Sequence, residues 1–363
     1  MPKIERITIE NFKSINKETL ELVPLNVFIG ANGSGKSNLI GIFHFLSRVI
    51  KKELQTYTGQ TGGANNILFF GRKQSSSLSI KLEFLIGSGS NGYAFELVPT
   101  AQDSFIFSKE IISFHDRPRY PSPYEITLGS GHKEAAISDS SERVAKYVRA
   151  CLESYCIYHF HDTSHNAKVK QKCDVEDNRN LLPDAGNLAA FLFRLKKTHP
   201  DHFMNIEDTV RNIAPFFERF QLEPSLLNPD KIMLEWKEKG SDVYFNAHAL
   251  SDGTLRFICL ATLMLQPKLP SVILLDEPEL GLHPAAITLL AALLQSTATR
   301  TQILVATQSV TLVNQLSPEH VWIAERESGA SRFTHLAKAD LSIWLDGYAL
   351  GELWEKNILG GRP

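Results

Sequence analysis

The sequence predicts a two-lobed α/β fold, and three stretches predict it. VFIGANGSGKSN (Val27–Asn38) places a glycine-rich turn between an apolar strand and a helix. SLSIKLEFLIG, GYAFELVPT and SFIFSKEIISFH are short β runs punctuated by the turns GSGSNG and RPRYPSP, an antiparallel meander. SVILLDEP is a continuous apolar run ending in two carboxylates, as expected of a strand buried on both faces of a sheet.

The elements follow in order. KIERITIENF and ETLELV alternate as strands, and LNVFIG leads into the glycine turn. A helix runs through SNLIGIFHFLSRVIKKEL, with Leu39, Ile42, Phe43, Leu46, Val49 and Ile50 recurring at three and four. From Tyr57 to Asn66 the composition turns to Gly, Thr, Gln and Asn, and a loop is expected. After the meander, SERVAKYVRACLESY is helical and CIYHFHD a strand. NLAAFLFRLKKTHP and NIEDTVRNIAPFFERF are two helices separated by Pro200. The strand pair KIMLEWKEK and DVYFNAHAL precedes the helix SDGTLRFICLATLML. Then come SVILLDEP, the helix PAAITLLAALLQS, the strand TQILVATQS and a helix or loop toward Asn314. In the last stretch, DLSIWLDGYALGELWEKNILGGRP, Trp344, Tyr348 and Trp354 are expected to pack on their own lobe.

Hydrophobic residues make up 43% of the 363, enough for a sizeable core. The net charge of -2, from 38 basic and 40 acidic side chains, lacks the basic excess usual for a protein that lives on nucleic acid. DNA contact would need a local patch, such as Arg194–Lys197 or Lys168–Lys172, and such clusters are ordinarily solvated faces. The start MPKIERITIENF lacks the apolar core of a secretory signal, and no apolar run approaches the roughly 18 residues of a membrane span. Cys151, Cys156, Cys173 and Cys259 suit thiols of a reducing compartment, so a cytoplasmic location is expected, without a membrane partner.

Gly30-x-x-x-x-Gly35-Lys36-Ser37 is a complete P-loop in the strand-to-helix context that the motif requires. Gly30, Asn32, Gly33, Ser34, Gly35, Lys36, Ser37 and Asn38 are therefore candidates to cradle a nucleoside triphosphate. Backbone N–H groups and the helix N-terminus meet the phosphates, Lys36 reaches the β and γ groups, and Ser37 takes Mg2+. At the end of SVILLDEP, Asp276 would join the Mg2+ shell and Glu277 would act as general base on the attacking water. The turn Ser251-Asp252-Gly253-Thr254 is either an ordinary helix cap or an anion site in which Ser251 and Gly253 face a γ-phosphate.

This succession (P-loop, LSDGT, LLDEPELGLHP, a strand ending ATQS) resembles the ABC-type ATPase heads of RecF, SMC proteins and OLD nucleases. It is most similar to compact bacterial RecF/OLD-like ATPases, also in ITIENFKSI, GNLAAFLFRL and LGELWEKNILGGRP, and least in the meander. The resemblance implies an ABC-type head with no coiled-coil arm. Residues 1–160 form an N-terminal lobe with P-loop and β-meander insertion. Residues 161–340 form a helical connector plus the signature and Walker B lobe, and 341–363 an aromatic tail packed on the head. It implies ATP and Mg2+ as cofactors. It also implies an ATP-dependent head-to-tail homodimer, or a higher assembly of dimers, in which LSDGT of one subunit completes the other's site. Two departures stand out: LSDGT replaces the transporter pattern LSGGQ, and Gln308 stands where many relatives carry a γ-phosphate-sensing His. Gln can donate a hydrogen bond but carries no charge, so Gln308 is a catalytic candidate and slow hydrolysis is expected. In CIYHFHDTSHNAKVKQKC the His and Cys spacing fits no common zinc pattern; the resemblance puts His161 and Asp162 near a lobe-joining Q-loop.

The sequence contains no heptad arm, Toprim constellation or HNH motif, so a head without an effector of its own is expected. The resulting expectation is an ATPase switch for a separately encoded effector, such as a nuclease or toxin, in anti-phage defence or a toxin–antitoxin-like system. A RecF-like DNA-repair clamp on duplex DNA is the rival, and a non-hydrolysing scaffold the third possibility.

Overall fold

The computed structural model describes residues 3–338, 341, 344 and 347–361. The chain begins with β1 (Lys3–Phe12), β2 (Ile15–Glu21) and β3 (Leu25–Ile29), then α1 (Lys36–Ile50), α2 (Leu54–Gln60) and α3 (Ala64–Ile67). β4 (Leu78–Ile86), β5 (Gly89–Pro99), β6 (Phe105–His115) and β7 (Tyr124–Gly129) follow, then α4 (Arg143–Glu153) and β8 (Tyr155–Tyr158). Next come β9 (Cys173–Asp174), α5 (Leu188–Thr198), α6 (Pro200–Ile213), β10 (Phe217–Gln221), β11 (Lys231–Ile232), β12 (Glu235–Glu238) and β13 (Tyr244–Asn246). The last part holds α7 (Asp252–Leu265), β14 (Val272–Asp276), α8 (Pro284–Ala298), β15 (Gln302–Ala306), β16 (Val321–Glu327) and β17 (Ala330–His335).

Two six-stranded sheets organise these elements. One has the order β2-β1-β4-β5-β6-β7 and is antiparallel. The other, β17-β16-β3-β15-β14-β8, is parallel except for β17. β3 is thus a central strand whose neighbours come from the far end of the chain.

The parallel sheet divides two hydrophobic cores. Val27, Ile29, Ile273, Leu275, Ile303 and Val305 face a core shared with α5, α7 and α8. Phe28, Val272, Leu274, Leu304 and Ala306 face the other way, onto α1, α4 and the antiparallel sheet. Successive side chains of a strand point to opposite faces, so both faces must be apolar, which is why these strands lack alternation in sequence.

Three local expectations need correction. The expected loop Tyr57–Asn66 contains most of α2 and most of α3. The first N–H groups of α2, from Leu54 and Gln55, donate to the carboxylate of Glu134 at 3.0 and 3.1 Å. A remote residue therefore caps the helix, which local composition cannot reveal. The expected helix through NIEDTVRNIAPFFERF stops at Ile213, and its remainder becomes β10. Ala214 precedes Pro215 and adopts ψ 77°, outside the helical region, as the proline ring demands of its predecessor. Finally, KIMLEWKEK is two strands, β11 and β12, which join different sheets.

Parts of the aromatic tail lie outside the described residues. Trp354, on the Leu350–Glu355 helix, is fully buried and donates from Nε1 to the Gly361 carbonyl at 2.6 Å. Trp344 and Tyr348 are more than half covered, at 44% and 41% exposed. Among the described residues no helix is long and apolar enough to cross a membrane.

Candidate nucleotide site

The site forms at the C-terminal ends of β3, β14 and β15, where an open α/β sheet leaves a crevice for ligands. β3 delivers the P-loop. Gly30 has φ 150°, and a Cβ there would come within 2.1 Å of the Ala324 carbonyl oxygen, so only glycine fits against β16. Gly35 has φ 110° and serves as N-cap of α1, with no side chain capping the first turn. The opening N–H groups of α1 are left without a side-chain partner, the arrangement that receives an anion.

Lys36 is buried, and its ammonium donates to the Gly30 carbonyl and to the Ala31 carbonyl at 3.0 Å. Burial pulls it below the ordinary lysine value, and the nearby carboxylates of Glu277, Asp276 and Glu279 oppose that shift. The Ser34 hydroxyl is buried with no hydrogen-bond partner among the described residues, while Asn32, Gly33 and Ser37 are exposed. Asn38 does structural work: its amide donates to Ser14 Oγ at 2.7 Å, tying α1 to the β1–β2 turn.

Asp276 ends β14. Burial, and after it the adjacent Glu277, push its carboxyl above the ordinary value; His161, His159 and Lys36 hold it down. Glu277 has φ 41°, a left-handed conformation strained for a residue with a Cβ, and its N–H donates to the Ala306 carbonyl at 2.8 Å. Gln308, just beyond β15, donates from Nε2 to Glu277 Oε1 at 2.5 Å. The structure therefore brings Lys36, Asp276, Glu277 and Gln308 together. Asp276 and Ser37 supply hard oxygen atoms that accept no protein hydrogen bond among the described residues, a donor set suited to Mg2+.

Ser251 and Gly253 are placed differently. Ser251 caps α7, accepting from the Thr254 N–H at 3.1 Å, and is exposed; among the described residues its hydroxyl bonds only to Thr254. Gly253 lies so close to Gly281 that a Cβ would stand 2.4 Å from the Gly281 carbonyl oxygen. Neither residue bonds to the P-loop of its own chain among the described residues.

Three residues of the site escaped the sequence analysis. Arg256 interrupts the apolar run of α7; it is buried, donating to the carbonyls of Phe160 at 2.9 Å and His161 at 3.1 Å. It fixes the segment that presents His161 to Asp276, and an arginine inside TLRFICLATL was the available signal. Lys170, also buried, bonds the Thr163 carbonyl at 2.6 Å and Asp252 at 3.3 Å, linking that segment to the start of α7. Glu279 accepts from the Thr307 hydroxyl at 2.5 Å, and its other oxygen is buried without a partner among the described residues. Burial raises its carboxyl above the ordinary value. Asp162, by contrast, is exposed and closes a local turn onto the Ser164 N–H at 3.1 Å, while His161 faces Asp276.

A P-loop at the centre of a parallel sheet, a strand ending Asp-Glu beside it and a capped LSDGT helix define an ABC-type ATPase head of the RecF/SMC kind. The chain belongs to the family described as "AAA domain, putative AbiEii toxin, Type IV TA system", whose model matches residues 25–314. It is 24% identical over 253 residues to the DNA replication and repair protein RecF of Cytophaga hutchinsonii. That match covers 68% of this chain and 61% of RecF, so the chain spans less than two thirds of that relative. Its fold is similar to a crystal structure of an Smc head bound to the C-terminal winged-helix domain of ScpA, with TM-score 0.62, 17% identity, and 91% and 96% of the two chains covered. It is similar to the Pyrococcus furiosus Smc head with an extended coiled coil, bound to the C-terminal domain of ScpA, at TM-score 0.58 and 16% identity, over 95% and 99% of the chains. It is also similar to the Thermotoga maritima SMC head, at TM-score 0.52 and 13% identity, over 92% and 98%.

Proposed function

We propose that the chain is a slow Mg2+-dependent ATPase that closes head-to-tail with a second copy on ATP and thereby switches a separately encoded effector. Lys36 and the P-loop amides hold the triphosphate, Ser37 and Asp276 hold Mg2+, which would neutralise phosphate charge, and Glu277 accepts the proton of the attacking water. Gln308 engages Glu277 directly, so the base is restrained, in keeping with slow turnover. The observation that carries the dimer is the exposed Ser251 cap, unbonded to its own P-loop while Lys36, Asp276 and Glu277 are gathered. Membership of a family described by a toxin and a type IV toxin–antitoxin system favours an effector of defence or toxin–antitoxin type, such as a nuclease or toxin, and a cytoplasmic setting.

Trans-complementation tests this. Ser251→Arg and Lys36→Ala are each expected to abolish turnover. Mixed one to one, they form heterodimers with one intact composite site, restoring about a quarter of wild-type activity by random pairing. No recovery on mixing defeats the head-to-tail arrangement. The likeness to RecF favours a second reading, a clamp on duplex DNA. Salt-dependent retention of duplex DNA by the ATP-bound protein would move that reading ahead.

A further inference from the structure

Gly361 lies against the phosphate loop. A Cβ built on it would stand 3.6 Å from the Gly30 Cα, 3.4 Å from the Ala324 carbonyl oxygen and 2.6 Å from Ile323 Cγ2. A Cβ on Gly30 would meet the same Ala324 oxygen. Three backbones, from β3, β16 and the C-terminal segment, therefore touch at the first glycine of the P-loop, and at Gly30 and Gly361 only glycine fits.

Both backbone polar groups of Gly361 are fixed. Its N–H donates to Glu325 Oε1 at 2.6 Å, and its carbonyl accepts from Nε1 of buried Trp354 at 2.6 Å. Gly360 and Gly361 have φ 83° and 58°, so the chain turns tightly to reach this place. The other end of the segment is anchored too. The Gly351 N–H donates to Asn314 Oδ1 at 2.8 Å, and a Cβ on Gly351 would stand 2.6 Å from the Val310 carbonyl oxygen. Val310 opens the short helix Val310–Val313, two residues after Gln308, and Asn314 closes it. Leu350 and Trp354 join the core on the α7–α8 face of the parallel sheet, whereas α1 packs on the opposite face. The P-loop is thus backed by α1 on one side and by Gly361 on the other.

We propose that segment 350–361 is a positioning strap for the phosphate loop: Trp354 and Glu325 hold Gly361 against Gly30 and so keep the loop ordered for a triphosphate. This rests on the reading that the P-loop binds a nucleoside triphosphate. Preorganisation of this kind raises affinity by lowering the ordering cost of binding. The coupling is reciprocal: whatever factor the strap adds to ATP affinity, bound ATP adds to the closure of the strap.

Calorimetry with Mg-ATP compares wild type with Trp354→Phe, which fills much of the indole's space without its N–H, and with Glu325→Ala and Glu325→Gln. Losing one of these hydrogen bonds is expected to weaken Mg-ATP binding about two- to tenfold. Glu325→Gln keeps an oxygen that can accept from Gly361 and should restore affinity. Amide hydrogen exchange supplies a readout that packing alone would not move. Exchange across 30–36 should quicken in Glu325→Ala. In wild type, Mg-ATP should slow exchange across 356–361 by a factor comparable to the affinity that Glu325→Ala loses. Undiminished affinity in both Trp354→Phe and Glu325→Ala, or equal weakening in Glu325→Ala and Glu325→Gln, would overturn the strap while leaving the phosphate site standing. So would ATP that slows exchange across 30–36 and not across 356–361. If Mg-ATP gives no binding heat and slows exchange across neither segment, the nucleotide reading itself fails.

Discussion

Glu277→Gln removes a charge and keeps a shape. Three features of the structure indicate that the fold will tolerate it. The Glu277 N–H bond to Ala306 is backbone and survives, φ 41° is no harder for Gln than for Glu, and the new amide oxygen can still accept from Gln308. Exchanging a charge-assisted for a neutral hydrogen bond costs about 1 kcal/mol. Relief of repulsion against half-buried Asp276 offsets part of that, so the net change in stability should stay within about 1 kcal/mol. The effect on chemistry is larger. Loss of a positioned proton acceptor slows a reaction by roughly 10²–10⁴, equivalent to about 3–5 kcal/mol of barrier. Phosphate release at saturating Mg-ATP measures the rate, thermal unfolding the stability, and light scattering the mass. The expected result is a stable, ATP-binding, nearly inert protein that accumulates as an ATP-dependent dimer. A rate within about threefold of wild type would remove Glu277 from the role of base. A rate lost in proportion to ATP affinity would mean that the residue only helps to bind.

Other perturbations reach the scaffold. Glu110 is fully buried and accepts from Tyr93 at 2.9 Å, His132 at 2.7 Å, and the Ala136 and Ile137 N–H groups at 2.8 and 3.0 Å. Glu110→Gln turns one acceptor oxygen into a donor facing donors, and urea denaturation should show a loss of about 2–4 kcal/mol. Thr307→Val strips Glu279 of its hydroxyl donor and the Ser309 N–H of its acceptor at 3.0 Å. It should cost about 1–3 kcal/mol and also slow turnover, because the same segment carries Gln308; unchanged stability would contradict that account. Gly35→Ala puts a Cβ at φ 110° within 2.0 Å of Ser331 Oγ and should lose ATP binding together with roughly 3 kcal/mol of stability. Burial pushes the Cys151 and Cys259 thiols up to about 12, so at pH 8 a disulfide reagent should titrate them only after unfolding, with Cys156 and Cys173 reacting first.

Sequence made the phosphate end of the site legible because each part there is a local pattern. The strand, glycine turn and helix of the P-loop lie within one short stretch, and the apolar run ending at Asp276 announces a strand buried on both faces. What stayed hidden depends on partners distant in the chain. α2 needs Glu134 to accept its first amides. Arg256 acquires meaning only when the Phe160 and His161 carbonyls arrive to receive it. Glu279 reads as a surface acid until the fold buries it against Thr307. The end of α6 was readable: Ala214-Pro215 is a stop signal that the apolar periodicity of APFFERF outweighed. Gln308 was picked out by position, but its contact with Glu277 required β14 and β15 to lie side by side.

The placement of β3 has a consequence for how the protein is made. Its partners are β15 and β16, which leave the ribosome some 300 residues after it, a delay of roughly 15–60 s at ordinary elongation rates. Until then the P-loop hangs from an unpaired strand whose five residues, Leu25–Ile29, are all destined for the interior. A nascent chain therefore exposes one of its most apolar segments for most of its synthesis, a natural client for a holding chaperone. It also cannot assemble a nucleotide pocket before nearly all of its sequence exists. On the proposed function, ATP could be captured only once translation has run past β16, and a fragment terminated earlier would carry the whole P-loop motif without its sheet partners.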